Sequence, residues 1–252
     1  MSRVCRVGLW IGLSTMVGCA STTPGAKPHE MSTAHHEAAA QQEQQAAEEH
    51  QRQYNAKAAS ERTRCTNTRG APGVDVDTGV CWTSVTNPTD IHLRAAEEHR
   101  RHAADHRAGS AALRAAEDQA CVGIAPDDRD MSPFERTEDI TSVAPYTVRI
   151  SGGKTESAAT LGAVVTFRAV PGMTAEWLQR LVDCHLARNA SLGHVVPEMP
   201  NCPLVPNGVE AHVSSTGNGF AVVVQSSDRA VVPEIQARAN RLVSHDASGS
   251  SR

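Results

Sequence analysis

The sequence predicts an α+β chain: a long Ala-rich helical hairpin followed by a small two-layer domain of antiparallel strands and two helices. Three observations carry this. Two tracts, 30–63 and 91–121, are dominated by Ala, Glu, Gln, Arg and His, a composition that favours helix by intrinsic propensity. From about residue 146 the pattern changes to β-branched and alternating runs. Within that part, two windows with three- and four-residue apolar spacing interrupt the strands in the order β-β-α-β-β-α. One antiparallel layer covered by two helices is the simplest way to bury those faces.

The chain opens with Arg3 and Arg6, then residues 7–17, uncharged and mostly apolar. At about 1.5 Å per residue this stretch covers only about half of a ~30 Å hydrocarbon core, so it reads as a secretory h-region rather than a membrane span. Small residues follow: Gly18, Cys19, Ala20 and Ser21. The segment Met16-Val17-Gly18-Cys19 resembles the lipobox of bacterial lipoproteins, with Met16 where that family usually has Leu. The resemblance implies a signal peptide at 1–18, cleavage before Cys19, and lipid chains, palmitate among them, on the Cys19 thiol and the new amino group. Ala20, rather than Asp, after the cysteine implies sorting to the outer membrane, facing the periplasm. Two or more acyl chains anchor firmly where one does not. Residues 19–29 then read as the lipidated cysteine and a flexible tether. No later run approaches the length of a span.

The net charge of −4, from 24 basic and 28 acidic side chains, excludes a basic nucleic-acid binder. Aromatic residues are only 3%, so the core is built from Val, Ala, Leu and Ile. Residues 30–125 form the expected hairpin. Tract 30–63 contains no Gly or Pro and as one helix would reach about 50 Å. Arg69 to Gly73 and Asn87-Pro88 are turn signals around a strand-like run at 79–86, and Thr89 or Asp90 is placed to cap the second helix. Ala46 to His50 recurs as Ala95 to His99, which shared low-complexity composition explains as well as duplication does. Ala-rich helices approach closely, as in a coiled coil, but bury little area, so self-association or a protein partner is expected through this half.

Residues 126–145 read as a Pro-containing acidic linker, 146–245 as the α+β domain and 246–252 as a disordered tail. Strands are expected at 146–150, 161–170, 209–215 and 220–225, the last two around the hairpin turn Gly217-Asn218-Gly219. Thr174 caps the first helix of this domain and Asp228 is placed to cap the last.

Of seven cysteines, Cys5 leaves with the signal and Cys19 carries lipid, leaving five for an oxidising compartment. The local pairs Cys65–Cys81 and Cys184–Cys202 are expected, with Cys121 unpaired, and the pairing of Cys121 with Cys184 or Cys202 stays open.

Two clusters could carry chemistry. On an ideal helix His92, His99, His102 and His106 fall within an arc of about 80°, and the three- and four-residue separations let two imidazoles share one ion such as zinc or copper. Arg100, Arg101 and Arg107 interleave with them. In the second half, Cys184, His185, His194, Met199 and Cys202 lack a recurring zinc spacing, and a disulfide accounts for them more simply. Gly152-Gly153-Lys154-Thr155 and Ser151 to Lys154 are incomplete phosphate-loop and serine-enzyme motifs. The function expected is a lipid-anchored, non-enzymatic envelope protein, structural or partner-binding. The alternative is a periplasmic metal-binding lipoprotein using the histidine face.

Overall fold

The computed structural model describes residues 23–66, 80–152 and 155–244. The expected signal peptide at 1–18, Cys19, the expected turn at 69–73, Gly153-Lys154 and the expected tail at 246–252 lie outside these.

Ser32 begins helix α1 (Thr33–Gln53): its hydroxyl accepts from the His35 amide at 3.1 Å. The helix then stops ten residues short of the expected end. A 3-10 turn at Ala56–Ala58 leads into β1 (Ser60–Thr66), paired antiparallel with β2 (Val80–Thr86). Thr63, Thr66, Thr83 and Thr86 are β-branched, and pairing with β2 overrides the helical bias of the preceding composition. A polar knot fixes the base of this ribbon. Asn87 Nδ2 donates to the Asn55 carbonyl (2.8 Å), and the Thr89 hydroxyl accepts from the Asn55 amide (3.0 Å). Thr89 therefore precedes helix α2 (Asp90–Ala120) without capping it by its side chain. Near the far end, Cys65 faces Cys81 and the two form a disulfide.

α1 and α2 lie antiparallel, with Ala40, Ala47, Ala96 and Ala103 buried between them. Within the expected tether, Thr23 to Ala26 pack against α2. Ala26 is buried, and the Thr23 hydroxyl donates to Asp105 on α2 at 2.6 Å. Gly109 makes this strap possible, because a Cβ there would lie 2.6 Å from the Ala26 carbonyl oxygen.

The expected linker contains a short helix, α3 (Pro126–Asp130), and gives up its last residues to β3 (Ile140–Gly152). β3 pairs with β4 (Thr155–Arg168), and the four-stranded sheet has the order β3-β4-β6-β5, with β5 at Val209–Thr216 and β6 at Gly219–Ser226. Pro145 is accommodated because β3 is an edge strand. A Cβ on Gly162 would sit 1.9 Å from the Val224 carbonyl oxygen, so only glycine fits beside the β3–β4 register shift.

Helices α4 (Ala175–Ser191) and α5 (Val232–Ser244) cover one face of this sheet. Ala163, Val165 and Phe167 of β4 and Phe220, Val222 and Val224 of β6 meet Leu178, Leu181 and Val182 of α4 and Ile235, Ala239 and Leu242 of α5 in one core. Thr174 caps α4, accepting from the Trp177 amide at 3.1 Å. Asp228 accepts from Ala230 in a turn ahead of α5.

The two halves are joined covalently. Cys184 bonds Cys121, at the C-terminus of α2, and not Cys202, which is a buried free thiol. Chain proximity favoured the local pair. Packing of α2 on α4 decides otherwise by bringing the Cys121 and Cys184 Cα atoms to 4.5 Å, within disulfide reach.

Candidate metal centre in the helix seam

The α1–α2 seam alternates small and polar layers. Alanines separate three polar layers: His36 with His106, Glu43 with His99, and His50 with His92. Each seven-residue step on α1 is matched by a seven-residue step backwards on α2, which places successive polar layers about 10 Å apart. Both helices thus follow a heptad with Ala in half of the seam positions and His or Glu in the other half.

In the first layer His36 Nε2 donates to the Pro28 carbonyl (3.3 Å), and the Nδ1 atoms of His36 and His106 are hydrogen-bonded at 3.2 Å. This pair ties the strap to the seam. Burial, then the neighbouring His36, push His106 below the usual imidazole range. In the last layer the Nδ1 atoms of His50 and His92 are 3.2 Å apart.

The middle layer is different because it contains a carboxylate. Glu43 Oε2 lies 2.6 Å from His99 Nδ1 and 3.5 Å from His102 Nδ1. One ligand atom from each of the three residues fits within 4.8 Å of the others, and this is the one such His/Glu group among the described residues. The three side chains are 26–31% exposed, enough to admit an ion. Tetrahedral zinc at about 2.0–2.1 Å from each ligand would place ligand atoms about 3.3 Å apart, a value the two observed separations bracket. The His50 ring stacks on His99 (centroids 5.4 Å apart, planes at 12°), and Glu98 lies 3.9 Å from His102 Nε2. His50 and Glu98 are thus the neighbours of the two rings, in the positions that outer groups take around metal-ligating histidines. The arginines that interleave with the stripe are exposed, and Arg100 and Arg107 turn to Gln51 and Gln44 on α1. The cluster can hold a metal.

The four-histidine site expected from the sequence is therefore not one site. His99 and His102 come together, but His92 and His106 belong to other layers and have other partners. Their common helix face meets α1 along its length, so each histidine faces whatever α1 presents at that level. Glu43, His36 and His50 are the residues that reading missed. Their seven-residue recurrence, matched by His92, His99 and His106, was the available signal. In the second cluster Cys184 is oxidised, His185 Nε2 donates to the Asp128 carbonyl (3.0 Å), His194 Nδ1 donates to the Val205 carbonyl (2.8 Å), and Cys202 is a buried free thiol.

A cleft of about 260 Å³ lies where the 131–139 segment meets the β4–α4 turn, lined by Met131, Phe167, Met173 and Trp177. Its buried carboxylate, Asp139, is paired with Arg168 at 2.5 Å. Among the described residues no helix is long and apolar enough to cross a membrane. Comparison with protein-family models, with curated proteins and with solved structures finds no match to this chain.

Proposed function

We propose that the chain is a lipid-anchored protein of the bacterial envelope, non-enzymatic and partner-binding, tied to the outer membrane through acylated Cys19. The observation that carries this reading is the disulfide pair Cys65–Cys81 and Cys121–Cys184 in a chain that opens with a lipobox-like segment. Disulfides persist in oxidising compartments, and the signal would deliver the chain to one. The β1–β2 ribbon supports the partner-binding part. It exposes Val80, Trp82 and Val85, with Arg64 opposite Trp82, on a sheet that among the described residues has two strands, β1 and β2. Exposed aromatic and apolar groups on a two-stranded ribbon are typical of contact surfaces. The test is palmitate labelling and membrane fractionation of wild type and Cys19→Ala. Wild type incorporates label and sediments with outer membrane. A wild-type chain that takes up no label, or a Cys19→Ala chain that is still labelled, overturns the reading.

The Glu43–His99–His102 cluster favours a second reading, a periplasmic lipoprotein that binds zinc or copper. Two imidazoles and one carboxylate suit zinc better than the harder cations magnesium and calcium, which prefer all-oxygen shells.

A further inference from the structure

We propose that one zinc-class divalent ion, held by Glu43 from α1 and by His99 and His102 from α2, is the clasp that orders the α1–α2 arm. This rests on the metal-binding reading and adds what the metal does: order in the arm depends on occupancy.

The argument starts from how little the seam buries. Between the strap and the ribbon, the buried apolar seam side chains are Ala40, Ala47, Ala96 and Ala103, and the buried polar ones are His36 and His106. At about 25 cal/mol per Å² such small side chains contribute far less than a Leu seam of the same length. The large apolar contact of α2, Leu113, lies further along, where the Ser191 hydroxyl of α4 donates to its carbonyl oxygen. What holds α1 to α2 beyond the strap is therefore mostly polar, and its middle layer is the ligand set.

That set is divided between the helices, one ligand on α1 and two on α2. An ion can meet all three only when the helices are together, so its binding free energy appears as stability of the paired arm. The local charge suits a divalent cation. Glu43 supplies one negative charge, Glu98 stands behind His102, and Asp105 on the next turn is engaged by Thr23. The third position on α1 is also filled, since His50 stacks on His99 and restricts its rotation. The ribbon with Trp82 grows from the far end of this arm. Metal occupancy would thus set how firmly the proposed contact surface is presented.

The experiment uses the full lipidated chain in detergent micelles, stripped of metal with a chelator. Zinc is titrated by calorimetry, with magnesium as a comparison. Amide exchange of α1 and of 92–106 is followed against that of α4. The expected result is one zinc per chain, no magnesium heat, and exchange in α1 and 92–106 about 100-fold slower at zinc a hundredfold above Kd, with α4 unchanged. Glu43→Gln and, separately, His102→Gln lose both effects, while the exposed His212→Ala keeps both. Stoichiometric zinc binding with unchanged exchange overturns the clasp and leaves the metal-binding reading standing. Absence of one-equivalent binding overturns both. Binding retained in both ligand variants overturns the assignment of the ion to this layer.

Discussion

The Cys121–Cys184 bond is the covalent link between the helical arm and the α+β domain, and removing it has a calculable cost. It closes a loop with a sequence separation of 63, against 16 for Cys65–Cys81. In the chain-entropy treatment these loops correspond to about 4.3 and about 3.1 kcal/mol at 25 °C. The Cys121→Ala/Cys184→Ala variant is therefore expected to lose about 4 kcal/mol in urea unfolding of the full chain in micelles, with lost packing in the core adding to that. Cys202→Ala removes no cross-link and should cost far less, the price of a small cavity. Thiol counts separate the alternatives independently. With Cys5 removed and Cys19 acylated as proposed, denatured wild type exposes one reactive thiol, Cys202→Ala none, and Cys121→Ala more than one. In the folded state the Cys202 thiol should resist alkylation, since burial raises its pKa and hides it. If Cys202→Ala destabilises as much as the double variant, or if Cys121→Ala brings the thiol count to zero with stability intact, the local Cys184–Cys202 pairing is correct and the link between the halves is lost.

Two further outcomes are expected. On an open helix face Gly109→Ala would gain about 1 kcal/mol from helix propensity, but here the new Cβ meets the Ala26 carbonyl oxygen at 2.6 Å and His36 Cε1 at 2.9 Å. Overpacking of that kind costs about 1–3 kcal/mol, so the net is a loss and faster proteolysis in 23–32, and a raised Tm would refute it. His106, His185 and His194 are each held below the ordinary imidazole value, first by burial. Below about pH 6.5 the unfolded chain takes up protons that these folded rings refuse, so stability is complete above that pH and declines as pH falls. A urea midpoint at pH 5.5 equal to or above that at pH 7.5 would contradict this.

Much of the architecture was legible because it follows local rules. The α+β class, the capping of α4 by Thr174, the β5–β6 hairpin around Gly217-Asn218-Gly219 and the onset of α2 near residue 90 are all short-range chemistry. The reading failed where two distant segments compete for one. The first helix ends at Gln53 because the threonine-bearing residues after it find a strand partner in β2, which propensity alone does not weigh. The strap from Thr23 looked like a tether because its anchors, Asp105 and Gly109, lie about eighty residues away in sequence.

The same division runs through the candidate site. The amino-acid sequence by itself determined that one face of α2 carries a stripe of histidines, since helical periodicity is a property of consecutive residues. Only the tertiary structure decided which of them act together, because α1 packs against that stripe in antiparallel register. It puts a histidine opposite His92 and His106, and a carboxylate opposite His99 and beside His102. Charge and ligand geometry at an interface belong to both faces, and the second face is chosen by folding.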